Sequence, residues 1–349
     1  MHLHVLYECD GSGKAHGCAW IRLLNPLNHP TLAGKVTLTT GDRIPHGQKT
    51  DALIVERVYK PNLTIVDAEK IVEMAEDRGV PMIHTIDDNL LDLNTGSSIW
   101  HFPQMEQRHV LRYLMRKARG LIVSTEKLAE RLEGLNPRIE VVPNQIDERL
   151  FTKRQQATEK KDKIVIGYMG TPTHLDDLLM ILQPLRRFLD KYREKVVFET
   201  VGVADAHFLQ TMFPGLPARP LPVPRTKASY PDFARWMDAN VQWDFAIAPL
   251  SDTSFAACKS DLKILDYGIL SIPGIFSNVT SYRDTIRHGI NGLLVENTSH
   301  AWEEALARMT DDVTLRATLA QNVRKEVWET RTLEQNAWRW EKAVERLVA

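Results

Sequence analysis

Residues 244–250, Asp244-Phe-Ala-Ile-Ala-Pro-Leu250, form a short apolar run that stops at a proline and a polar loop. Residues 258–268, Cys258-Lys-Ser-Asp-Leu-Lys-Ile-Leu-Asp-Tyr-Gly268, follow, with helical spacing predicted over Asp261–Leu270, and Gly274-Ile-Phe-Ser277 is again short and apolar. Strand, helix, strand in that order is a βαβ unit, and repetition of the unit builds a parallel sheet.

The alternation extends outward. Downstream of residue 163, strands are predicted over Lys163–Met169, Val196–Val201 and Gly292–Val295. Helices are predicted over Asp176–Tyr192, Pro231–Met237, Trp302–Met309 and Val313–Val327. The five prolines of Phe213–Pro224 predict a loop. Upstream, Met1–Tyr7, Leu53–Val58, Pro81–Ile86, Gly120–Ser124 and Ile139–Val142 read as strands. Helical spacing covers Cys18–Leu27, Val66–Arg78, Gln104–Arg119 and a segment capped by Thr125. The polar stretch between Phe151 and Lys163 has no apolar period and reads as a linker and hinge. The expected architecture is α/β, with two Rossmann-like doubly wound domains over 1–155 and 156–330. An amphipathic C-terminal helix in 331–349 is expected to pack back on the first domain. Ligands of such sheets bind beyond the carboxyl ends of the strands, so the expected site is a cleft in which the two domains face each other.

Composition narrows the function. Among 349 residues, 43% are hydrophobic and 26% charged, which is ordinary globular usage. Lys+Arg 44 against Asp+Glu 45 excludes a generally basic nucleic-acid binder. Cys9, Cys18 and Cys258 include no CxxC pair, which argues against a disulfide scaffold or structural zinc and fits a reducing compartment. No signal-like segment opens the chain and no apolar run is long enough to span a bilayer, so a cytoplasmic enzyme is expected.

Four segments can carry chemistry. Asp10-Gly-Ser-Gly13 follows the first strand; its glycines let backbone approach a ligand or make a plain tight turn, and the GxGxxG spacing is not met. Gly170, Thr171, Thr173 and His174 follow the strand ending at Met169, where backbone and hydroxyls can cradle a diphosphate or simply connect strand to helix. Lys259, Ser260, Lys263 and Asp266 are the most informative set. Lysines four apart at a helix start suit phosphate, and a carboxylate three residues after Lys263 suits a ribose diol. Asp87-Asp88 can orient a hydroxyl, act as a base, bind a divalent metal or cap the next segment. The basic stretch Arg108–Arg119, interleaved with Leu111, Tyr113, Leu114 and Met115, is either a solvated helix face or a contact with an anionic membrane surface.

Residues 243–250 (WDFAIAPL), 259–286 (KSDLKILDYGILSIPGIFSNVTSYRDTI) and 288–306 (HGINGLLVENTSHAWEEAL) resemble the donor domain of bacterial glycosyltransferases of family 4. Residues 17–27 (GCAWIRLLNPL), 83–93 (IHTIDDNLLDL), 120–132 (GLIVSTEKLAERL) and 141–147 (VVPNQID) are similar to N-terminal segments of one branch. The resemblance covers nearly the whole chain. It implies a GT-B fold and sugar transfer from a nucleotide diphosphate sugar, UDP- or GDP-linked, to an acceptor hydroxyl on a glycan, a lipid-linked sugar or a small metabolite. Retention of configuration, no catalytic metal, and a role in bacterial surface glycan or polysaccharide synthesis are implied with it. So is a location in the cytoplasm or at the inner membrane face. Asp266 would take the ribose-binding place. Lys263 and the Ser260 region would face the diphosphate opposite Gly170 and Thr171, and Asp87 would lie near the donor sugar. The chain departs from the pattern at Lys259, where many members carry Glu, and at Gln145, where Gly is common. A nucleotide-sugar epimerase or a non-catalytic binding protein of the same fold are the competing readings.

Overall fold

The computed structural model describes residues 1–45, 47, 49–93, 105–153 and 162–349. The predicted helix start at Gln104 and residues 154–161 of the expected linker lie outside the described residues. The chain divides into two compact units. One comprises Met1–Asp147, Cys258–Ser260 and Thr332–Ala349, and the other Glu148–Ala257 and Asp261–Arg331.

The first unit holds a six-stranded, all-parallel sheet. Its strands are β1 (His2–Leu6), β2 (Thr37–Thr40), β3 (Ala52–Glu56), β4 (Met82–Ile86), β5 (Gly120–Val123) and β6 (Ile139–Val141), in the order β2-β1-β3-β4-β5-β6. Every residue of β3, β4 and β5 is buried, as expected for strands covered on both faces. Side chains alternate between the faces. Leu53 and Val55 join a core with Ile71, Leu111 and Leu114, while Ile54 and Ile83 join another with Leu23, Trp340 and Val344. The first of these cores is covered by α1 (Ile65–Asp77) and α2 (Met105–Lys117). Thr64 and Asp67 form a reciprocal capping box at the start of α1, one residue before the predicted Val66. The predicted helix over Cys18–Leu27 contains a π-helical turn, Trp20–Leu24, which buries Arg22. The C-terminal segment is broken at Ala337 into Leu333–Asn336 and Trp338–Val348, and its apolar face carries Trp340, Val344 and Leu347.

The second unit holds six further parallel strands: β7 (Ile164–Met169), β8 (Val196–Val201), β9 (Ala218–Pro220), β10 (Phe245–Ala248), β11 (Gly274–Ser277) and β12 (Leu293–Val295). Their order is β12-β11-β10-β7-β8-β9. One face packs Ile166, Phe198, Phe245 and Ile247 against Leu185, Trp302 and Leu306. On the other, α3 (Leu262–Ile269) lies against α4 (Val313–Thr330). Phe151 is buried and Thr152 donates its hydroxyl to Asp238 at 2.8 Å, so the first residues of the expected linker are ordered parts of this unit. Strands β2 and β9 were not predicted. Both are polar or proline-bearing edge strands, paired on one side only, and carry no continuous apolar run.

Candidate functional site

Each sheet has a switch point, where the chain leaves one strand in opposite directions: between β1 and β3 in the first unit, between β7 and β10 in the second. The chemically distinctive residues collect at the carboxyl ends of these strands.

In the first unit, Arg57 follows β3 and is the hub. Its backbone stands at φ +46°, a region that L-residues other than Gly, Asn and Asp rarely occupy. Arg57 N–H donates to Thr85 O at 3.0 Å, and its carbonyl bonds Nε2 of buried His84 at 2.9 Å, which together hold the turn. The guanidinium then reaches Glu8 beyond β1 (2.8 Å) and Asp87 (2.6 Å) and Asp88 (3.3 Å) beyond β4. Burial disfavours the Asp87 carboxylate, but the charges of Arg57 and Arg22 outweigh it and hold its pKa below the ordinary value. Glu56 responds oppositely. Burial and then the neighbouring Glu8 charge push it up to about 8, so it is mostly neutral at pH 7. One Glu56 oxygen accepts the Glu8 N–H at 2.7 Å. The remaining charges balance, with Glu8, Asp87 and Asp88 set against Arg57, Arg22 and Lys259.

Lys259 and Ser260 join this cluster. The Lys259 ammonium is 3.5 Å from Asp88, and Thr125 donates its hydroxyl to Cys258 O at 3.0 Å. Asn144 donates to the Ser260 hydroxyl at 2.8 Å and accepts from Arg22 at 2.9 Å. The structure thus separates the predicted set. Lys259 and Ser260 belong to the first unit and are not helical, whereas α3 begins at Leu262 in the second. Gly13 stands at φ +84° in a tight turn closed by Asp10, which accepts from Ser12 N (2.8 Å), Ser12 Oγ (2.6 Å) and Lys14 N (3.0 Å).

In the second unit, Gly170, Thr171, Thr173 and His174 leave β7 together. Gly170 N–H donates to Val201 O at 3.0 Å, beside Gly202 at φ +78°. A Cβ on Gly202 would lie 2.6 Å from the Gly170 carbonyl, so this close approach requires glycine. The hydroxyls of Thr171 and Thr173 are exposed and 2.6 Å apart. His174 Nδ1 lies 3.3 Å from Asp177, whose other oxygen accepts Ser251 N–H at 3.0 Å. The Lys263 ammonium donates to the carbonyl of Met169, the last residue of β7, which places the start of α3 at this edge. Asp261, just before α3, is held by both terminal nitrogens of Arg331 at 2.8 and 2.9 Å. Asp266 follows Lys263 by one turn, is only 7% exposed, and accepts no hydrogen bond among the described residues. Burial pushes its pKa up to about 6, against the opposing pull of Lys263. Gly170, Thr171, Thr173, His174, Lys263 and Asp266 therefore all lie in the second unit.

Sequence reading missed Glu8, Arg22, Glu56 and Arg57. The available signal was the Glu56-Arg57 pair interrupting the apolar run Leu53–Val58 at the point where a parallel strand ends.

No protein-family model matches the chain, and no curated protein matches it by sequence. Solved structures do. Sucrose-phosphate synthase from Thermosynechococcus elongatus is 14% identical, with a TM-score of 0.70 over 99% of this chain and 98% of that one. HepE of Anabaena, solved in complex with UDP-glucose, is 14% identical, with a TM-score of 0.65 over 99% of both chains. TarM is 14% identical with a TM-score of 0.59; the match covers 84% of this chain and 54% of TarM, so the chain spans about half of TarM's length. These likenesses establish the fold as GT-B, two doubly wound α/β units in one chain.

Proposed function

We propose that the chain is a glycosyltransferase that takes its sugar from a nucleotide diphosphate sugar, with the nucleotide held by the second unit. The observation that carries this reading is Asp266. A buried carboxylate with both oxygens unspent, one helical turn from an ammonium at a sheet switch point, is complementary to a ribose diol beside a diphosphate. Desolvating a carboxylate without a partner is costly, and a ligand that donates two hydroxyls relieves the cost. HepE, of the same fold, was solved with UDP-glucose, which supports a UDP-sugar as donor.

In the proposed reaction the bond between sugar C1 and the β-phosphate oxygen breaks, and its electron pair stays on the departing diphosphate. The acceptor hydroxyl oxygen bonds to C1, and its proton passes to the leaving phosphate. Lys263 and the Gly170–Thr171 backbone stabilise the charge that grows on the diphosphate, a role that needs no metal. In the first unit, Asp87 is held ionised by Arg57 and is a weak base; its role is to orient an acceptor hydroxyl. A member of family 4, acting with retention in surface glycan synthesis at or near the inner membrane face, is the finer form of this reading. For the membrane, the support is α2, where Met105 in the first turn and Arg116 and Lys117 in the last are exposed. No helix among the described residues is long and apolar enough to cross a bilayer.

The test is a thermal-shift panel of UDP, GDP, ADP, dTDP and CMP with their common sugars. Ligand at roughly 100 times its Kd stabilises the native state by about 2.7 kcal/mol. A shift with one diphosphate, reduced in Asp266→Asn, is expected. A flat response from folded protein refutes the reading.

A further inference from the structure

The histidines of β1 take no part in the sites above. His2 and His4 lie on one face of the sheet, and the parallel register sets them opposite Thr37 and Thr39 of β2. Four polar contacts follow: His2 Nδ1 to the Thr37 hydroxyl at 2.7 Å, His2 Nε2 to the Thr39 hydroxyl at 3.2 Å, His4 Nδ1 to that same hydroxyl at 2.9 Å, and His4 Nε2 to Gly41 O at 2.9 Å. Gly41 stands at φ +132°, which only glycine adopts readily, and turns the chain at the end of β2.

The last contact fixes the proton positions. A carbonyl oxygen only accepts, so Nε2 of His4 carries a hydrogen. His4 is fully buried, and burial lowers its pKa; the bond to Gly41 opposes this, and His2 and Arg78 add to it. Asp51, just before β3, accepts the His2 N–H at 2.7 Å and is paired with Lys49 at 3.1 Å; His4 itself has no carboxylate partner among the described residues. His4 is therefore neutral at pH 7, and its Nδ1 is a bare acceptor. The Thr39 hydroxyl has one hydrogen and spends it on that nitrogen. His2 Nε2 then donates to the Thr39 oxygen, and all the bonds run one way, from Thr37 to Gly41 O. A proton added at His4 Nδ1 breaks this order. Thr39 must turn its hydrogen to Leu3 O, 3.4 Å away, and two N–H groups then converge on one hydroxyl oxygen.

We propose that His4 and Thr39 form a proton-operated latch, which holds β2 and the Gly41 turn against β1 while His4 is neutral and releases them in acid. As an edge strand paired on one side only, β2 can open without unfolding the rest of the sheet. Asp42 and Arg43, directly after Gly41, line a cavity of about 840 Å³ in the first unit, so the latch decides whether that wall is in place. The latch is independent of the glycosyl-transfer reading.

The test is hydrogen exchange of the full chain by mass spectrometry at pH 7.5 and 5.5, corrected for intrinsic exchange rates. An imidazole with a lower pKa in the closed strand than in the open one takes up its proton on opening, so protection of Thr37–Thr40 is complete above 6.5 and falls below it. Between the two pH values a loss of about three- to tenfold, relative to β4, is expected. His4→Gln offers Gly41 a donor and Thr39 an acceptor but takes no proton, and is expected to abolish that loss. Long-range proton–nitrogen NMR of the wild-type chain needs no variant, and should show His4 with a protonated Nε2 and a bare Nδ1 at pH 7.5. An equal pH response of β2 and β4, an unchanged response in folded His4→Gln, or a His4 hydrogen on Nδ1 at pH 7.5 overturns the proposal. If His4→Gln melts early, the wild-type exchange and NMR results decide the matter by themselves.

Discussion

Asp266→Asn separates stability from function at one residue. The Asp266 carboxyl ionises at 3.8 in the unfolded chain and at about 6 when folded, because burial disfavours its charge. That rise from 3.8 to about 6 makes the ionised form cost the native state ~3 kcal/mol. Between pH 4 and 6 the folded chain binds more protons than the unfolded chain, so this contribution to stability is complete below 4 and is lost as pH rises through 6. Asparagine is neutral throughout. The variant is therefore expected to match wild type near pH 4 and to be more stable at pH 7 by up to ~3 kcal/mol, read by urea unfolding across that range. Nucleotide binding changes the other way. Ribose hydroxyls donate to the charged carboxylate, so wild-type UDP affinity should rise about tenfold per pH unit below 6 and level off above it, with a proton released on binding. Losing the charge-assisted bonds should weaken UDP by ~1.5–3 kcal/mol, about 10- to 100-fold, and flatten the pH dependence. A variant no more stable than wild type at pH 7, or a wild-type UDP affinity independent of pH between 5 and 7, refutes the reasoning.

Two further perturbations test the sites independently. Lys263→Ala removes the ammonium at the β7 edge and should lower kcat by about 10²–10³ with circular dichroism unchanged; wild-type turnover by the folded variant would remove Lys263 from the mechanism. Arg57→Met strands Glu8, Asp87 and Asp88 without their shared cation, and a loss of about 3–5 kcal/mol is expected in urea unfolding at pH 7. Without Arg57, burial should raise the Asp87 pKa, so the loss should shrink as pH falls and Asp87 takes up a proton, and a pH-independent loss would mean that Arg57 acts by packing.

Much of the fold is legible in the sequence, for a physical reason. A parallel strand covered on both faces is mostly apolar, so β10 is visible as a continuous run, β3 as a run that ends at Glu56, and β4 as a run interrupted by His84 and Thr85. A helix start is visible where a capping side chain precedes the run, as at Thr125. Edge strands β2 and β9 escape because they meet neither condition. The Lys263–Asp266 pair is legible because three residues on a helix define one face. Arg57, Glu8 and Asp87 are not, because 49 and 30 residues of chain separate Arg57 from its partners. Nothing local marks those distant residues as neighbours.

The sequence by itself determined the two α/β units, their parallel sheets and the helix that carries Lys263 and Asp266, since each follows from periodicity and short-range spacing. Only the tertiary structure decided that Lys259 and Ser260 join the first unit while Lys263 joins the second, one turn of chain away. It also decided that β1, β3 and β4 lie side by side, and strand order is what brings Glu8, Arg57 and Asp87 to one point. The charge on each buried carboxyl follows from that placement. Asp87 stays ionised beside Arg57 and Arg22, whereas Glu56, in the same cluster, is mostly neutral at pH 7, because the energy of a buried charge depends on its neighbours in space and not on its neighbours in the chain.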